Sequence, residues 1–162
     1  MKENSLIIGI GNYDRQDDGV AWHILCGVAK ALGRKIPQDP YEEEFEQTGE
    51  KSHLHFTLQI VPEMADLISN YDHVCFVDAH TGAIPTDLQA IEIKPSFQRS
   101  PLTHHMTPET VLSLTNTVSG CKPEGYLVSV RGYQFGFDQT LSPKTNELSI
   151  SAIQEISNWL EL

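Results

Sequence analysis

Three stretches of the sequence bring together residue types that could do chemistry. The first is Gly9-Ile10-Gly11-Asn12-Tyr13-Asp14-Arg15-Gln16-Asp17-Asp18-Gly19. A Gly-x-Gly after an apolar run suggests a dinucleotide-binding turn, but the third glycine of that pattern falls on Asp14. Asp17 and Asp18 add further negative charge where a pyrophosphate would sit. The turn instead offers carboxylates at the start of a helix, where the ionised form is stabilised. Either acid serves as a helix cap or as a functional group. The second stretch is Cys75-Phe76-Val77-Asp78, an acid closing an apolar run. Burying an unpaired carboxylate is costly, so Asp78 either caps the next turn or has a partner or a task. His80, two residues on, falls on the same side of an extended chain. The third is Thr103-His104-His105-Met106-Thr107-Pro108, where neighbouring histidines point apart and one of them faces a site or both are loop residues. Two carboxylates and one imidazole suit a borderline divalent cation such as nickel or zinc. Other schemes have no support: there is no G-x-S-x-G, no H-E-x-x-H and no C-x-x-C.

The elements that would position these residues follow from periodicity. Leu6-Ile7-Ile8 reads as a buried strand running into a glycine turn. Val20, Ile24, Val28 and Leu32 recur every four residues, a helix ending near Gly33. Leu54 to Val61 reads as a strand with Leu54, Phe56, Leu58 and Ile60 on one face. Pro62 suits the first turn of a short helix with Met64, Leu67 and Ile68 inward. His73 to Ala79 and Leu88 to Ile93 are strands, expected to pair as an antiparallel edge. Thr107-Pro108-Glu109 carries a cap, a first-turn proline and a first-turn acid. Gly125 to Val130 is a fifth strand, and a last helix opens at Asn146-Glu147. This order predicts an α/β fold: a twisted, mostly parallel five-stranded sheet sandwiched between helices, with one antiparallel edge strand. Sites in such sheets lie beyond the carboxyl ends of the strands, which is where all three stretches fall.

The chain has 162 residues, the size of one domain, 40% of them hydrophobic and 20% charged. Residues 34 to 53 interrupt the pattern with Pro37, Pro40 and Tyr41-Glu42-Glu43-Glu44-Phe45-Glu46. They read as an acidic insertion, either a solvated loop or a partner-docking arm. A net charge of −11 with no basic stripe argues against nucleic acid and against a membrane surface. Met1 to Ser5 runs into Leu6 without a signal sequence, and Cys26, Cys75 and Cys121 are odd in number and widely spaced. A cytoplasmic location with reduced cysteines is expected.

These residues resemble the nickel–iron hydrogenase maturation proteases, endopeptidases that trim the hydrogenase large subunit. Gly9-Ile10-Gly11-Asn12 with Asp17-Asp18-Gly19-Val20 matches the opening block of that family, and Val77-Asp78-Ala79 matches its second. His104 ahead of Val111-Leu112 fits the third. Gly136-Phe137-Asp138 and Leu141-Ser142-Pro143 resemble its tail, so the likeness spans nearly the whole chain. The sequence departs from the family at Gln59-Ile60-Val61-Pro62-Glu63-Met64, where relatives carry Asp-Gly-Gly-Thr, and at Ala21, where they carry glycine.

The resemblance implies a protease that removes the C-terminal extension of the large subunit after nickel insertion. It implies that Asp18, Asp78 and His104 recognise the nickel, with Asp18 or Asp78 assisting hydrolysis. Gly11, Asn12, Asp17, His80 and His105 are expected to contact substrate. It further implies no permanently bound cofactor, since nickel arrives with the precursor, and a monomer whose partner is that nickel-loaded precursor. A metal-sensing chaperone or binding module on the same fold, which does not cut, is the alternative.

Overall fold

Six consecutive buried residues, Ser5–Ile10, form β1, and their lack of alternation reflects a strand covered on both faces. The computed structural model describes residues 1–97 and 106–162. After β1 come α1 (Val20–Ala31), β2 (Ser52–Thr57), α2 (Met64–Ile68), β3 (His73–His80) and β4 (Leu88–Ile93). The chain ends with α3 (Pro108–Ser119), β5 (Glu124–Arg131) and α4 (Pro143–Trp159). The five strands form one sheet in the order β2-β1-β3-β5-β4. All neighbours are parallel except β4, which runs antiparallel to β5. Odd-numbered residues Ile7, Cys75 and Val77 pack with Val20, Ile24 and Val28 of α1 and Ala152 and Ile156 of α4. Even-numbered Leu6, Ile8, Val74 and Phe76 pack with Met64 and Ile68 of α2 and Val111 and Leu112 of α3. The sheet is thus sandwiched between helix pairs, as the alternation of elements predicts.

Three details differ from the sequence reading. The antiparallel edge strand β4 pairs with β5 (Leu88 opposite Val130), not with β3. β5 slots between them, with Asp78 in register with Ser129. The physical reason is burial: Val128 and Val130 are fully enclosed and need strands on both sides, whereas Ile91 and Glu92 of β4 are exposed and tolerate an edge. Next, β2 ends at Thr57 rather than Val61. The Thr57 carbonyl accepts from the Gly11 amide (3.0 Å), and the Thr57 hydroxyl donates to the Gln59 carbonyl, so the chain turns there. Leu58 is left 58% exposed, while Ile60 joins the α2–α3 side of the core. Finally, α4 begins at Pro143, a turn before Asn146. Ser142 caps it by accepting from the Thr145 amide, the same Ser/Thr-Pro device that starts α3 at Thr107.

The acidic segment is tethered. Phe45 is 4% exposed and packs against Trp22, with ring centroids 5.3 Å apart. Gln47 lies along the outer edge of β2 like a strand fragment: its amide nitrogen donates to the Leu54 carbonyl and its oxygen accepts from the Leu54 amide at 3.1 Å. Arg34 donates to the Ser52 carbonyl (2.6 Å) and pairs with Glu50 (2.9 Å). Truncating the Phe45 anchor removes the buried contact that holds these carboxylates in place. Phe45→Ala is expected to cost about 3 kcal/mol and to open residues 38–50 to limited proteolysis, with α1 and the sheet still resistant.

Candidate active site at the strand ends

Asp17 and Asp18 are neighbours in sequence with opposite fates. A single 3-10 turn over Gln16–Gly19 sends them apart. Asp17 is 0% exposed. Its Oδ2 accepts from the Tyr133 and Gln134 amides (2.8 and 2.9 Å), the Ser142 hydroxyl (2.6 Å) and the Thr145 hydroxyl (3.0 Å). Its Oδ1 accepts from the Ser142 amide (2.8 Å). Burial alone would push the Asp17 carboxyl up, but the Ser142 hydroxyl and the Tyr133, Ser142 and Gln134 amides outweigh it and hold the group below the usual carboxylate range. Asp17 was expected to contact substrate; the structure encloses it as an internal brace that joins the β1–α1 loop to the β5–α4 loop. Its partners are distant in sequence, so only Ser142-Pro143 advertised any of them.

Asp18 faces outward from the same turn and is partly exposed. Its Oδ2 accepts from the Asn12 amide (2.9 Å), and its own amide donates to the Arg15 carbonyl (3.1 Å). The side chain of Asn12 folds back to accept from the Asp14 amide (3.0 Å). Gly11 has φ +150°, and a Cβ built there would sit 2.0 Å from the Asp18 carbonyl oxygen. Only glycine lets β1 pass so close to the turn that presents Asp18. Gly11 and Asn12 therefore shape the carboxylate's position.

Asp78 follows the buried run Val74 to Val77 of β3, and the turn carrying Asp18 packs against that strand. Gly9 pairs with Val77, so Asp78 stands one residue further along, level with the end of β1. Its Oδ1 accepts from the Ala79 amide (2.8 Å). Burial pushes its carboxyl up to about 7, and the nearby Asp18 charge adds to the rise despite the Ala79 amide. A carboxyl of this kind exchanges its proton near neutrality, as general acid–base work requires. Asp18 and Asp78 thus stand near each other in unequal environments, and Asp78 is the member that burial makes a proton carrier.

His80 follows on the same face of β3, 8% exposed. Its Nδ1 accepts from the Gly82 amide (3.1 Å), and its Nε2 is buried with no partner among the described residues. Because an amide can only donate, that bond assigns the proton of the neutral ring to Nε2. His80 as placed is a hydrogen-bond donor and offers no lone pair to a metal. Arg131, its register partner on β5, stacks on Tyr133 at 4.9 Å. His104 and His105 lie outside the described residues. Met106, just after them, packs on the α2–α3 side of the core, the side toward which Asp78 and His80 point. Among the described residues, no group of three His, Cys, Asp or Glu is placed to hold a metal ion. Asp18 and Asp78 supply two carboxylates, and a third donor would have to come from elsewhere. Neither Cys26 nor Cys75 is a candidate nucleophile: burial raises the Cys26 thiol to about 11, and Cys75 is fully enclosed.

Two variants test this geometry. Asp78 is protonated more readily folded than unfolded, so its contribution to stability is full below about pH 4 and is lost as pH rises through about 7. Asp78→Asn removes that dependence. Its advantage over the wild type is expected to grow by about 2–3 kcal/mol between pH 5 and pH 8 in denaturant melts. Gly11→Ala forces the turn to move or adopt a strained backbone. It is expected to lose about 1–3 kcal/mol of stability in the same melts.

No family model and no curated protein matches the sequence. Solved structures do match the fold. The hydrogenase maturating endopeptidase HybD from E. coli superposes with a TM-score of 0.70 at 18% identity, covering 98% of this chain and 92% of its own. The [NiFe] hydrogenase maturation protease HycI from Thermococcus kodakarensis KOD1 gives 0.65 at 20% identity, covering 99% and 94%. The Hydrogenase 3 maturation protease gives 0.60 at 15% identity, covering 97% and 91%. Over nearly its full length, this chain has the fold of the solved hydrogenase maturation proteases.

Proposed function

We propose that this chain is an endopeptidase that removes the C-terminal extension of a nickel–iron hydrogenase large subunit after nickel has been inserted. The observation that carries this reading is the Asp18–Asp78 carboxylate pair, held at the carboxyl ends of β1 and β3 with one member titrating near neutrality. It is supported by a fold shared nearly end to end with structures named as hydrogenase maturation endopeptidases or proteases. In this reading nickel is part of the substrate: Asp18, Asp78 and His104 approach the ion already held by the precursor. No cofactor resides in the protein, which works as a cytoplasmic monomer. Asp18, oriented by the Asn12 amide, stays exposed to the incoming ion. Asp78, partly desolvated, takes up or gives back the proton as water adds across the scissile peptide bond. The products are a new C-terminal carboxylate on the large subunit and a released peptide with a free amine.

The test is the intact mass of a hydrogenase large subunit from nickel-grown cells with and without this gene. The subunit is expected to stay longer by its C-terminal peptide when the gene is missing. Complementation with Asp18→Ala is expected not to restore trimming, and His104→Ala to impair it more than His105→Ala. The purified protein is expected to carry far less than one nickel per chain by elemental analysis. Equal trimming with and without the gene, for each hydrogenase of the cell, would favour the non-cutting, metal-sensing module.

A further inference from the structure

Phe137 is 95% exposed, yet the loop that carries it is held down firmly. The Gln16 amide donates to the Asp138 carbonyl (2.7 Å), and the Gly136 amide donates to Gln16 Oε1 (2.8 Å). Arg15 donates to the Phe135 carbonyl (3.1 Å), and Gln139 donates to Asp14 Oδ1 (2.9 Å). The Arg15 guanidinium also lies over the Phe137 ring, 5.8 Å from its centroid. Gln16 takes a left-handed backbone, φ +47°, to make these contacts, a conformation costly for a non-glycine residue. A single exposed apolar side chain on a mobile loop needs no explanation. An exposed phenyl ring on a loop fixed in advance, at a local conformational cost, is the form of a recognition anchor.

Its surroundings narrow the partner. Phe137 shares with Asp14, Asp138, Gln139 and Thr140 a shallow depression of about 530 Å³. The loop it joins, Asn12 to Asp18, is the one that presents Asp18. The exposed Tyr41 reaches the same loop, its hydroxyl 3.3 Å from Asn12 Oδ1. Apolar surface and carboxylates, with the Arg15 guanidinium on one face of the ring, therefore lie on and beside the loop that presents Asp18.

We propose that Phe137 is a specificity anchor that docks the folded precursor protein beside the carboxylate pair. Its ring meets an apolar side chain next to a lysine or arginine of the precursor, and Asp14 and Asp138 face that cation. This inference rests on the proposed function, since it assigns the surface that holds the same substrate.

The experiment compares wild type, Phe137→Ala and Phe137→Trp in trimming a purified nickel-loaded large-subunit precursor. Removing a fully exposed ring leaves the core intact, and equal melting temperatures check this. Phe137→Ala is expected to raise KM about tenfold with kcat within twofold, and Phe137→Trp to keep the wild-type KM. A KM for Phe137→Ala within twofold of wild type, with wild type active, overturns the docking role and leaves the protease reading standing. Failure of the wild type to trim any precursor overturns the protease reading, and the docking role with it.

Discussion

The strand-end face depends on one buried carboxylate. Asp17 gathers amide and hydroxyl donors from Tyr133, Gln134, Ser142 and Thr145 into a single site. It joins the loop after β1, the loop after β5 and the first turn of α4 through one buried group. Buried donors left without an acceptor each cost about 1–3 kcal/mol, so the brace cannot be removed piecemeal. The Asn12–Asp18 loop is fixed from below by Asp17, and Asp18 inherits its position from that fixation.

Three acids, two on one turn and one on β3, show how surroundings divide labour among identical side chains. Asp17 is saturated with donors and stays ionised at the expense of any contact with solvent. Asp18 keeps one amide partner and an open side. Asp78 has one amide partner among the described residues and is largely desolvated, so its proton is held to about pH 7. The first gives rigidity, and the other two are less fully bonded. A stable fold would gain from neutralising Asp78. Keeping a carboxyl in that position is a cost in stability that a functional site tolerates.

Much of this was legible in the sequence because local rules and burial agreed. The unbroken apolar run of β1, the four-residue stripe of α1 and the Thr107-Pro108 cap each specify their element alone. Asp78 stood out because an acid ends an apolar strand. Strand neighbours were less legible: periodicity gives a strand's faces but not its partners, so β4 was assigned to β3 when the buried β5 takes that place. The roles of Asp17 and Asp18 could not be divided from sequence, since the donors that separate them lie more than a hundred residues away. Phe45 looked like part of a solvated acidic run because its partner Trp22 belongs to another element.

The glutamine lying along β2 has a consequence for how chains can meet. An open sheet edge is a template: any extended segment can add to it by backbone pairing, including the same strand of a second molecule. Here the Leu54 amide and carbonyl are satisfied by Gln47, and the Ser52 carbonyl by Arg34. The ladder that a visiting strand would need is already spoken for at successive outward positions. An incoming strand would have to displace Gln47 and Arg34 to pair along this part of the border. At this border, side chains rather than backbone decide what is accepted, and among the described residues the free sheet edge is left to β4 on the opposite side.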